Sequence, residues 1–190
     1  SKEKKAKITA WLKDRQDKIV LDLGANDGTY SRIAAETTPL VISADIDHNA
    51  VHQNYLRCKQ NNDTRIIPLL LDITNPSPAL GWACKERASI FERIQPDLGM
   101  ALALVHHLVI GANIPLNLVI ETFANIAPNW IIEFVDKPDS QIQRLLANRE
   151  DIFTTYTKTG LEEAISTCFN IKAHHEIVNT HRSLYLLEKK

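Results

Sequence analysis

Lys18 to Thr29 reads K-I-V-L-D-L-G-A-N-D-G-T, and Leu40 to Asp45 reads L-V-I-S-A-D. Each is an apolar run closed by an acid, the pattern of a buried strand ending at a polar rim. After the first run, Gly24 and Gly28 let the backbone turn tightly and approach a ligand with no Cβ in the way. The segment from Thr29 to Glu36 reads as a helix, so its free N–H groups gather at that turn. Two acid-ended strands flanking a glycine turn outline a pocket for the adenosine half of a cofactor.

Working outward, Ile8, Trp11, Leu12 and Arg15 fall on one helical face, so residues 1–17 are expected to carry an N-terminal helix. The Lys2 to Lys7 run reads as its solvated start. Strands are expected at Lys18–Leu23, Leu40–Asp45, Arg65–Leu71, Asp97–Val105 and Trp130–Val135. Helices are expected from Asp47, as cap, to Asn61, and over Cys84–Ile94, Leu116–Ile126, Ser140–Ala147 and Gly160–Cys168. Ile171–Val178 and Ser183–Glu188 are joined by Asn179 to Arg182 and read as an antiparallel hairpin. The fold class is therefore α/β. A doubly wound, Rossmann-like, mostly parallel seven-stranded sheet with an antiparallel C-terminal hairpin carries helices on both faces. Residues 1–190 are expected to form one domain.

The composition suits that fold. The chain has 190 residues, 44% hydrophobic and 24% charged, with a net charge of −1. That balance gives no electrostatic case for nucleic acid. Three scattered cysteines, Cys58, Cys84 and Cys168, read as reduced thiols of a cytoplasmic protein. No run approaches the ~20 apolar residues of a membrane helix. The only methionine is Met100, so the chain is expected to be cut from a longer polypeptide or to have lost its start.

The register of the glycine turn narrows the cofactor. A dinucleotide site wants G-x-G-x-x-G, whereas this chain has Gly24, Asn26 and Thr29 there. A pyrophosphate would find no close approach. S-adenosyl-L-methionine carries no phosphate and needs a carboxylate for its amino group, which Asp22 supplies. The order D-x-G-x-N-x-G, then Asp45, then Asp72, then a closing hairpin resembles the class I S-adenosylmethionine-dependent methyltransferases, from about Lys18 to Glu188. That family usually has a glycine at the middle of the three positions, where this chain has Asn26, a residue that tolerates left-handed backbone angles. The resemblance implies that Asp22, Gly24, Ala25, Asn26 and Gly28 hold the methionine end. It implies that Asp45 takes the ribose hydroxyls with Ile46 on adenine, that Asp72 and Ile73 fix the adenine edge, and that Val105 lies beside the sulfonium.

The transfer itself needs alignment more than acid or base. After the fourth strand the chain reads Leu104-Val105-His106-His107-Leu108 in place of the N-P-P-Y or D-P-P-Y of amide and adenine methylation. Such an ending looks like that of small-molecule and some tRNA methyltransferases. His106 or His107 is a candidate base for a hydroxyl, and Glu133 a candidate at the same rim. Adjacent histidines point apart and lack a third partner, so no metal is expected. Trp82 is expected to cover the core, His174 and His175 to lie on the surface, and Arg144, Arg149 and Asp151 to form salt bridges. Tyr156 falls in the segment that runs near the acceptor in similar enzymes. The expected activity is transfer of a methyl group to O or N of a small molecule. The alternatives are an RNA (tRNA or rRNA) methyltransferase and a non-catalytic cofactor-binding domain of a larger protein.

Overall fold

β1 (Ile19–Leu23) lies near the middle of a seven-stranded sheet, because both of its faces are apolar and both are covered. The computed structural model describes residues 1–190. β1 pairs in parallel with β2 (Leu40–Asp45) on one side and β4 (Leu98–Ala101) on the other. β3 (Ile66–Leu70) extends the sheet beyond β2, and β5 (Asn129–Val135) beyond β4, both in parallel. β7 (Arg182–Lys189) then runs antiparallel between β5 and β6 (Phe169–Ile177). The order is β3-β2-β1-β4-β5-β7-β6. Strand order reverses between β1 and β4, which is where such sheets open a ligand crevice.

Side chains of a strand alternate between faces, and β1 serves two cores in this way. Leu21 and Leu23 join a cluster with α5 (Leu116–Ile126), α6 (Ser140–Leu146) and α7 (Lys158–Cys168). Val20 joins the opposite cluster with Ile8 and Leu12 of α1 (Lys2–Lys13), Ile33 of α2 (Thr29–Ala34) and Cys58 of α3 (His48–Gln60). Asp22 has the parity of Val20 and is therefore aimed at the α1–α2 face. In the first core, the Phe123 and Trp130 rings stack at 4.1 Å, and the indole N–H donates to the Phe123 carbonyl. Burying side chains of this size contributes about 1.5–3 kcal/mol each.

Three expectations are corrected. The Cys84–Ile94 segment is not one helix: a 3-10 turn spans Trp82–Cys84 and α4 only Ile90–Arg93. Ser89 and Glu92 form a capping box that starts the helix late. Trp82 is 85% exposed and covers nothing of the core. β4 ends at Ala101 rather than Val105, because Ala103 takes a left-handed backbone at φ 59°. The apolar run continues only because Leu102 is buried in the bend after β4 and Val105 at the start of the helical turn that follows.

Candidate active site

A cavity of about 890 Å³ opens at the carboxyl ends of β1, β2 and β3 and against the segment after β4. Asp22, Gly24, Ala25, Asn26, Asp45, Ile46, Asp72 and Ile73 line it, joined by His106 and His107. Ten of the sequence-predicted site residues thus meet at one place. Gly28, Val105 and Glu133 do not line it.

The turn after β1 is held by its own geometry. Gly24, Asn26 and Gly28 all have left-handed backbones, at φ 69°, 51° and 75°. Asn26, standing between the two glycines, keeps the turn, as its tolerance of the left-handed region predicts. Gly28 is buried as the cap of α2, where a Cβ would stand 2.3 Å from Asn54 Oδ1. It shapes the turn from behind.

Each acid at the rim has a different setting. Asp22 is 1% exposed and accepts the Ser31 hydroxyl at 2.6 Å. Burial pushes its carboxyl up to about 7, with the Ser31 hydrogen bond and nearby Lys4 acting the other way. Asp45 accepts the backbone N–H groups of Asn26 at 2.7 Å and Asp47 at 2.8 Å. Asp72 accepts the backbone and hydroxyl of Thr74 through Oδ1, at 2.8 and 2.7 Å. Ile46 is 62% exposed at the cavity mouth.

At the other end, His106 is 1% exposed and its Nδ1 has no hydrogen-bond partner. Its ring lies 4.2 Å from that of His107, which begins a π-helical turn, His107–Gly111. Burial, then His107 and Arg182, push the His106 pKa down to about 3, so the ring is neutral at any ordinary pH. Burial lowers His107 as well. So weak a base accepts a hydrogen bond more readily than it keeps a proton.

Val105 is fully buried in the core, and Leu102, Ala103 and Leu104 face the cavity in its stead. Glu133 is 0% exposed. Its Oε2 accepts Lys4 Nζ at 2.6 Å, and its Oε1 lies 3.6 Å from Arg182 Nη1. Lys4 is thus not part of a solvated run: it is 8% exposed, with its ammonium 4.6 Å over the Tyr30 ring. Tyr156 is buried away from the cavity, donating its hydroxyl to the Val135 carbonyl. Asp151 pairs with Lys137, while Arg149 donates to the Ile110 carbonyl and to Asn113. His174 is exposed, whereas half-buried His175 meets Glu3 at 2.9 Å.

The sequence reading missed Tyr30, Gln141 and Arg182, which complete the cavity wall beside His106. They come from α2, α6 and β7. The one signal was Arg182, a cation in the short hairpin connection beside the rim strand β5.

This sheet order is the fold of the S-adenosylmethionine-dependent methyltransferases. Among solved structures, the chain is similar to the N-methyltransferase NodS from Bradyrhizobium japonicum WM9. The TM-score is 0.69 at 12% identity, over 99% of this chain and 95% of that one. The same enzyme in complex with S-adenosyl-L-homocysteine gives 0.70 at 11% identity, over 99% and 86%. Magnesium protoporphyrin IX methyltransferase (ChlM) from Synechocystis PCC 6803, with bound SAM, gives 0.66 at 14% identity, over 99% and 79%. In sequence, the chain is 36% identical over 183 residues to the nodulation protein NoeA of Rhizobium meliloti (strain 1021). That match covers 96% of this chain and 38% of the relative, so the chain spans well under half of that protein. No family model matches the chain.

Proposed function

We propose that this chain binds S-adenosyl-L-methionine and transfers its methyl group to an oxygen or nitrogen of a small molecule. The observation that carries the reading is the gathering of Asp22, Asp45 and Asp72, from three successive strand ends, around one cavity. The residues fit that group. Asp22 is a buried carboxylate placed for the α-ammonium, at the foot of a turn whose left-handed backbone leaves room for the methionine chain. Asp45 keeps a lone pair on each oxygen for the ribose diol. Asp72 keeps Oδ2 for the adenine amino group, with Ile46 and Ile73 against the ring.

When bound, the cofactor supplies a methyl group on a sulfonium, which leaves as a neutral thioether. The chain's task is then alignment. Methyl transfer to the acceptor's lone pair would release the neutral thioether, and the acceptor's proton would pass to water. His106 and His107 stand at the acceptor end, where a neutral imidazole accepts a hydrogen bond from the nucleophile and orients its lone pair. Glu133 acts from behind, on Arg182 and on Lys4 beneath Tyr30.

A small acceptor is favoured by size and charge. The cavity lies within the roughly 300–1,000 Å³ of small-molecule sites. Five acids line it (Asp22, Asp27, Asp45, Asp47 and Asp72) against one cation, Arg182, which repels a phosphate backbone. No helix is long and apolar enough to cross a membrane. Three free cysteines support a cytoplasmic site of action. Calorimetric titration with S-adenosylhomocysteine tests the reading. Micromolar binding that weakens in Asp45→Ala is expected; no heat at millimolar ligand, or tighter binding of NAD, would overturn it.

A further inference from the structure

Tyr30, His106, Gln141 and Arg182 form the cavity wall away from the adenosine acids. Arg182 is the only cation there, yet its charge is already matched. Its Nε donates to Asp139 Oδ2 at 2.8 Å and its Nη2 to Asp139 Oδ1 at 3.2 Å. Its Nη1 lies 3.6 Å from Glu133 Oε1. Neither carboxylate can be drawn away cheaply. The Asp139 side chain is 11% exposed and also caps α6 through the Gln141 N–H, and Glu133 is 0% exposed and tied to Lys4. Behind the wall, Lys4 and Arg182 balance Glu133 and Asp139. A guanidinium carries five N–H donors, and Asp139 takes two of them. Arg182 therefore retains donors for a ligand while presenting little net charge.

His106 is the second observation. It is 1% exposed, lines the same wall, and its Nδ1 is without a partner. A buried polar atom left unpaired is costly unless something meets it in use. Burial keeps the ring uncharged. Tyr30 offers one ring face, its other being under the Lys4 ammonium.

We propose that this wall is an acceptor subsite selecting an uncharged, hydrogen-bonding molecule bearing a hydroxyl or amide, with Arg182 as a charge-compensated donor that discriminates against carboxylates and phosphates. The proposal rests on the methyltransferase reading, because a bound sulfonium would disfavour a cationic acceptor. An anionic acceptor would meet Arg182 with its charge already matched by Asp139 and Glu133 behind it, and find no unmatched cation.

The test uses protein loaded with S-adenosylhomocysteine and three probes on one ring skeleton: benzyl alcohol, benzamide and benzoate. Binding is followed by NMR at the Arg182 Nε–H and Gln141 side-chain amide. The two neutral probes should shift these signals at millimolar concentration, with benzoate weaker by about tenfold, because the desolvation of its charge is not offset by an unmatched cation. Asp139→Asn keeps a helix-capping side chain but removes one matching charge, so it should reverse the preference toward benzoate. Benzoate binding as tightly as benzamide in the unaltered protein, no shift with either neutral probe, or an unchanged preference in D139N would each overturn the proposal. Failure to load S-adenosylhomocysteine would instead overturn the methyltransferase reading, so the two failures are told apart.

Discussion

Asp45 Oδ2 accepts the Asn26 backbone N–H at 2.7 Å, which ties the end of β2 to the turn after β1. With Asn26 at φ 51°, this bond explains how the turn keeps its shape without a third glycine. Asp45→Ala should remove both that tie and the proposed ribose contacts. Hydrogen bonds to a charged group are worth about 1.5–3 kcal/mol, so S-adenosylhomocysteine affinity should fall roughly ten- to hundredfold by calorimetry. Asp45→Asn retains one acceptor oxygen and should fall between. Equal affinity in all three proteins would remove Asp45 from the site.

Cofactor affinity should depend on pH through Asp22. Burial raises its pKa to about 7 in the free protein, so much of it is protonated at neutral pH. A cationic ammonium favours the carboxylate, so binding expels a proton. Affinity should therefore rise between about pH 5 and 7, by up to about one log unit per pH unit, and level off above. Calorimetry in buffers of different ionisation enthalpy counts the proton released. The free protein should show the opposite trend. A raised carboxyl pKa stabilises the fold below the unfolded value and loses that contribution as pH rises through about 7. In Asp22→Asn both dependences should vanish.

The Lys4–Glu133 pair gives a prediction about α1. Lys4→Ala leaves Glu133 buried beside the poorly placed Arg182 and should cost about 3–5 kcal/mol in denaturant unfolding. Replacing both partners by apolar side chains of similar volume, Lys4→Met with Glu133→Leu, should restore much of that loss. A double variant as unstable as Lys4→Ala would show that the pair contributes more than mutual neutralisation.

Gly28→Ala meets two obstacles, a φ of 75° and a Cβ placed 2.3 Å from Asn54 Oδ1. Backbone strain of this kind costs about 1–3 kcal/mol, before Asn54 moves and releases Ser43 Oγ and Arg32. A lowered melting temperature together with weakened cofactor binding is expected. Gly111→Ala, where a Cβ would meet nothing within 4 Å, is the matched control for stability.

The cofactor end was legible because its signals are local. An apolar run, an acid and a glycine turn are contiguous, and the parallel sheet brings the three strand ends together without further instruction. The acceptor end was not. Lys4, Tyr30, Gln141 and Arg182 lie in four separate segments, and β7 must insert between β5 and β6 before Arg182 pairs opposite Val135 at the rim. No spacing records that insertion. Glu133 looked like a rim catalyst because it falls near the end of an apolar strand, but its partner sits 129 residues away. The overlong fourth strand has a related cause: Leu102 and Val105 are apolar because they are buried, and burial does not specify an extended backbone.

The loop between β3 and α4 has a practical consequence. Residues 80–88 are exposed, and the Leu80–Arg87 bridge closes the loop at its base. Cys84 at its tip is exposed, whereas Cys58 is buried and Cys168 partly so. A maleimide dye offered briefly to the folded protein should therefore couple at a single address. Trp82, two residues away, would quench or release that dye as the loop shifts, turning this stretch of surface into a ready optical reporter.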